Sequence, residues 1–226
     1  LSLVYTGVLT ALLLSLEKRP DWKQNFAPDR LPNALLLLAA AGIAVGNVLL
    51  LSKGIAPPVM TVGLPVAQIL YDLLAPLGLL CALCIALFAV FCLKDRKPSP
   101  LLYMIASLYL VVRLIVCFQQ WNTDPSVHDY CYQLLAAICC MLGTFQLAGF
   151  SFGKGKRQMC LFWCLSATVF CAITVADTLA AKDSSAILIN LSLLLSMAAS
   201  SYQLLFTQRT DPEEDAAQES PAEEEN

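Results

Sequence analysis

Long apolar stretches fill most of this chain, and short polar segments separate them. Seven stretches stand out: Leu1–Leu16, Leu31–Ser52, Leu73–Leu93, Leu101–Trp121, Tyr130–Phe150, Met159–Leu179 and Ala186–Phe206. A transmembrane helix needs about 20 mostly apolar residues, because the hydrocarbon layer is about 30 Å thick and a helix rises about 1.5 Å per residue. In lipid only helices and closed barrels satisfy their own backbone. These runs are continuous rather than alternating, so helices win. The pattern predicts an all-α, polytopic transmembrane bundle of about seven spans. Leu1–Leu16 would reach only about 24 Å as a helix, so further residues are expected ahead of Leu1. A signal peptide is the alternative for this stretch, but it lacks an Ala-x-Ala-like cleavage site.

The polar segments orient the bundle. Lys18, Arg19, Lys23 and Arg30 lie in the first connection, Lys94, Arg96 and Lys97 in the third, and Lys154, Lys156 and Arg157 in the fifth. Arg209 opens the tail, whereas the second and sixth connections hold only Lys53 and Lys182 and the fourth holds no cation. Cations favour short cytoplasmic loops. The expected topology has the N-terminus outside and the C-terminus in the cytoplasm. Interfacial aromatics agree: Trp121, Tyr130 and Tyr132 fall at the outer edge, Tyr103, Trp163 and Tyr202 at the inner one.

Some spans carry further structure. Residues 55–71 are apolar but broken by Pro57, Pro58, Gly63 and Pro65. A spanning role would put every later loop on the wrong side, so an interfacial or re-entrant outer segment is expected. Gly42 and Gly46 form a GxxxG pattern, which lets helix backbones approach closely. Ser192, Ser196, Ser200 and Gln203 recur on one helical face and are expected to meet another helix, with hydroxyls bonding across. Each of the three basic loops precedes a pair of spans, which suggests a threefold hairpin repeat after one extra helix.

Composition supports the membrane reading: of 226 residues, 58% are hydrophobic and only 14% charged. Soluble domains carry about 25% charged residues. The acidic balance comes from residues 209–226, where Asp211, Glu213, Glu214, Asp215, Glu219, Glu223, Glu224 and Glu225 crowd with almost no apolar residues. The chain divides into a transmembrane domain, 1–208, and an acidic tail that buries too little surface to offset its ordering entropy. A solvated cytoplasmic tail is expected, with a basic cytoplasmic partner as its other use.

Within the spans one charge stands out. Arg113 lies mid-span, eight residues before Trp121, or about 12 Å below that interface. A central Arg costs about 2.5–3.5 kcal/mol on insertion scales, so it should face the interior and be paired. The carboxylates expected within reach are Asp72, Asp177, Asp124 and Asp129, with Asn47, Gln119, Gln133 and Asn190 in the same outer third. His128, the single histidine, could join Asp124 and Asp129 as an outer-loop cluster, too thin to predict a metal. The ten cysteines fall mostly in apolar helix, where a thiol acts as a small hydrophobe. Cys81-x-x-Cys84 has no second pair, and only Cys117 and Cys131 approach the outer face closely enough to suggest a bridge.

No nucleophile elbow, phosphate loop or HExxH motif occurs. No enzyme activity, metal, cofactor or nucleic-acid partner is expected. The residues favour a small-ligand transporter or sensor, with an outward polar cavity around Arg113 that takes an anionic or zwitterionic ligand. The alternative is a non-catalytic assembly protein, with Arg113 as an ion-pair clamp and the acidic tail as docking element. Short loops and strong charge bias suggest a bacterial cytoplasmic membrane.

Overall fold

The structure is a computed structural model describing residues 26, 29–53, 65–94, 96, 98–121, 127–182 and 184–206, with backbone alone at 53, 65–68, 71, 120–121, 127–130 and 181. Six α-helices occur among these residues: α1 (Arg30–Lys53), α2 (Pro65–Leu93), α3 (Leu101–Trp121), α4 (Val127–Ser151), α5 (Arg157–Ala181) and α6 (Ser184–Phe206). Each is long and apolar enough to cross a membrane. Leu1–Leu16 and the tail 209–226 lie outside the described residues.

Proline placement explains several boundaries. Pro32 sits in the first turn of α1 and Pro65 opens α2, where a missing N–H leaves no helical bond unmade. Helix α2 therefore begins well before Leu73, and residues 65–71 continue it instead of forming a separate segment. Residues 55–64 lie outside the description. Pro76 falls inside α2, so the Asp72 carbonyl loses its usual donor and the helix has a weak point there.

The helices form a closed ring. Each packs on its chain neighbours, α6 returns to α1, and α4 also touches α6 across the centre. Neighbours joined by loops as short as 152–156 must run antiparallel, so three hairpins (α1–α2, α3–α4, α5–α6) stand around the ring. One end gathers Arg30, Lys94, Arg96, Lys154 and Lys156, all exposed; this is the basic end. Leu38, Val45, Leu83, Leu87, Leu108, Ile115, Phe118, Phe145, Val169 and Ile173 point outward around the ring. So much exposed apolar surface would aggregate in water but suits lipid. Helix length, apolarity and this outer face together support a multi-pass integral membrane protein.

The closing seam depends on small residues. A Cβ at Gly42 would collide with the Ser192 side chain, and one at Gly46 would lie 2.6 Å from Ile189 Cγ1. The GxxxG face thus packs α1 on α6 inside the bundle. The serine stripe of α6 is buried as expected, and its hydroxyls bond mainly to their own helix, though Ser200 also meets the Tyr103 hydroxyl of α3. Ser192, Ser196 and Ser200 donate to the α6 carbonyls of Leu188, Leu193 and Ser196 at 2.6, 2.9 and 2.9 Å. A hydroxyl satisfied by its own helix leaves a small surface that a neighbour can approach. Gln203 crosses to α1, its Nε2 donating to Asn33 Oδ1 at 3.2 Å.

The basic end is filled by aromatic rings. Phe26 packs edge-on against Phe88 and Phe150, at centroid distances of 6.0 and 5.7 Å. Phe88 in turn meets Tyr103 at 4.3 Å. Tyr103 is thus a core residue and does not belong to an interfacial belt. Tyr132 and Tyr202 are exposed near opposite ends of the bundle.

Candidate functional site

Helical periodicity carries Arg113 inward. On α3 the buried positions Ala106, Tyr109, Leu110, Arg113 and Val116 recur every three or four residues, tracing one face. Arg113 is 8% exposed and Asn190, one turn above Leu193 on α6, is 5% exposed. Arg113 Nη2 donates to Asn190 Oδ1 at 2.7 Å. Because guanidinium has only donors, this bond fixes the amide: Oδ1 accepts, and Nδ2 is left as a donor.

Among the described residues, Arg113 Nη1 and Asn190 Nδ2 then have no hydrogen-bond partner. Both residues line one small cavity, together with Cys117, Gln133, Ala136, Ala137, Cys171 and Leu193. Its volume is about 10 Å³, counted as the space open to the centre of a water molecule. That is near the least that holds one water, about 10–15 Å³. Helices α3, α4, α5 and α6 all contribute to its wall.

A second polar layer adjoins it. Asn47 is fully buried on α1; its Nδ2 donates to the Ile43 carbonyl at 2.8 Å and lies 3.4 Å from the Tyr109 hydroxyl. Gly78 of α2 makes room for this amide, since a Cβ there would overlap the Asn47 side chain. Tyr109 stands one turn from Arg113 on α3 and interacts with it electrostatically, as do the thiols of Cys117 and Cys171. Polar groups thus cross the ring from Asn47 through Tyr109 to Arg113 and Asn190.

Of the residues expected at the site, Arg113, Gln133 and Asn190 meet at the cavity, and Asn47 lies one layer away. Neither of the two described carboxylates expected there arrives. Asp72 and Asp177 are both exposed, and no ion pair to Arg113 occurs among the described residues. On α5 the buried stripe runs through Cys164, Ala167, Cys171, Thr174 and Thr178, and Asp177 falls off it. Among the described residues Arg113 thus meets an amide and neither Asp72 nor Asp177. Asp124 and the side chains of His128 and Asp129 lie outside the described residues. Cys117 and Cys131 are free thiols.

Sequence reasoning missed Tyr109, Cys117 and Cys171 as neighbours of Arg113. Tyr109 was legible in principle, being a polar aromatic four residues before the charge and so on its face. Cys171 also meets Cys140 across α4 and α5, with sulfurs 3.4 Å apart. Nothing in the spacing pairs these two. No group of three or more metal-ligating side chains occurs among the described residues. Comparison with known protein families, curated proteins and solved structures gives no match.

Proposed function

We propose that this chain binds small anionic or zwitterionic solutes within the membrane, as a transporter or sensor. One observation carries this reading: a buried guanidinium with no carboxylate partner among the described residues shares a cavity with an amide, and each has an unpartnered N–H. Both vacancies call for an acceptor, and a negative one offsets the guanidinium charge. With the basic end cytoplasmic, as the charge alternation argues, the cavity lies in the outer half. A bacterial cytoplasmic membrane suits the short loops.

The arrangement is the closed form of such a site. A solute larger than water requires α3 and α4 to part from α5 and α6, and Pro76 in α2 is a natural place for the ring to flex. A thermal-shift screen of carboxylates and amino acids on the purified protein tests the reading. At least one solute should stabilise the native protein and leave Arg113→Met unmoved. Solutes that stabilise both alike would sink it.

The Arg113–Asn190 bond also joins α3 to α6, which favours a second reading as a non-catalytic assembly protein docking through its acidic tail. On that reading, deletion of 209–226 releases a basic cytoplasmic partner and no solute acts through Arg113.

A further inference from the structure

The cavity beside Arg113 is small, and its size selects among anions. Its wall is mixed: two unpartnered donors from Arg113 and Asn190, the thiols of Cys117 and Cys171, the Gln133 amide, and the apolar side chains of Ala136, Ala137 and Leu193. A water there would accept both hydrogen bonds but leave the buried cation uncompensated. A carboxylate or phosphate would neutralise it but is far bulkier than the single water the cavity is sized for. A monoatomic halide, though larger than water, is the smallest anion that meets both demands, and the wall must give slightly to seat it. The apolar part of the wall excludes an ion that holds its hydration tightly, because few donors replace the lost water.

We propose that the closed ring holds a single halide ion, chloride above all, between Arg113 Nη1 and Asn190 Nδ2. This rests on the reading of Arg113 as an anion site and adds the resident ion. The halide is the counter-ion that Asp72 and Asp177 do not supply. In a transporter or sensor of organic anions it would keep the empty site neutral and leave as the solute enters.

The test uses the purified full chain in detergent, exchanged into sodium gluconate and titrated with sodium chloride at constant ionic strength. Thermal unfolding should rise with the logarithm of chloride concentration above its Kd, as expected for a ligand of the native state. Bromide should replace chloride; fluoride and sulfate should not. Asn190→Asp places a carboxylate where the guanidinium already bonds, so this variant should be as stable in gluconate as in chloride. Arg113→Met should likewise lose the response. Should Arg113→Met fail to fold, broadening of the chloride NMR line by the native protein, reversed by bromide, gives an independent reading.

Identical unfolding of the native protein in gluconate and chloride would overturn the proposal, as would a chloride response that survives in Asn190→Asp. Inert halides combined with Arg113-dependent stabilisation by acetate or an amino acid would remove the halide and keep the anion site. No Arg113-dependent response to any anion would remove both.

Discussion

Two buried arginines in this bundle solve the same problem differently. Arg157 begins α5 at the basic end and is 6% exposed; Arg113 lies mid-way along α3 and is 8% exposed. Arg157 uses Nε and Nη2 to donate to the Leu204 carbonyl near the end of α6. The last carbonyls of a helix have no intrahelical partner, and that end carries partial negative charge. Arg113 has no such end beside it, because mid-helix carbonyls are already bonded to their own helices. It therefore takes a side-chain amide and keeps Nη1 empty. A cation at a helix end is satisfied by backbone, while one at mid-depth depends on whatever else the fold or the solvent brings. The first arrangement is structural, and the second leaves Arg113 Nη1 without a hydrogen-bond partner among the described residues.

Substitutions test this contrast, each read by thermal or denaturant unfolding in detergent without halide. Asn190→Leu removes the short amide contact and leaves the buried charge to the Tyr109 hydroxyl and the Cys117 thiol beside it. Breaking a buried charged contact in this way costs about 3–5 kcal/mol, the largest loss expected. Arg157→Met frees the Leu204 carbonyl and should cost about 1.5–3 kcal/mol, the range for a hydrogen bond to a charged group. Tyr109→Phe gives up the long contact with Asn47 and should cost about 1 kcal/mol. Arg113→Met should change stability least, by less than about 1 kcal/mol. One hydrogen bond is lost, but an uncompensated charge leaves with it. A loss at Arg113→Met equal to that at Arg157→Met would erase the distinction between the two arginines.

Depth was legible in the sequence, but direction around each helix was less so. Arg113, Gln133 and Asn190 interrupt apolar runs at similar distances from one end, so their meeting followed from counting. The Asp177 expectation came from the same counting and failed, because depth says nothing about which way a side chain points. In a soluble protein a polar face would have settled this. Here both faces of α5 are apolar: Val169 and Ile173 toward lipid, Ala167 and Cys171 toward the ring. Hydropathy cannot separate them. The small-residue stripe of Cys164, Ala167, Cys171, Thr174 and Thr178 was the better guide, and Asp177 is not on it. The serines of α6 show the converse. Their face was read correctly, but most of their bonds stay within α6, since a hydroxyl can turn back to its own backbone as readily as reach out.

The closing seam bears on how the chain is made. Gly42 leaves the ribosome about 150 residues ahead of Ser192, its neighbour across the seam. At about 5–20 residues per second, that face of α1 waits roughly 7–30 s for its partner. Until then the two glycines offer other helices a close-packing surface that the finished protein hides. The ring's order of synthesis thus gives it a period of exposure that no hairpin within it shares.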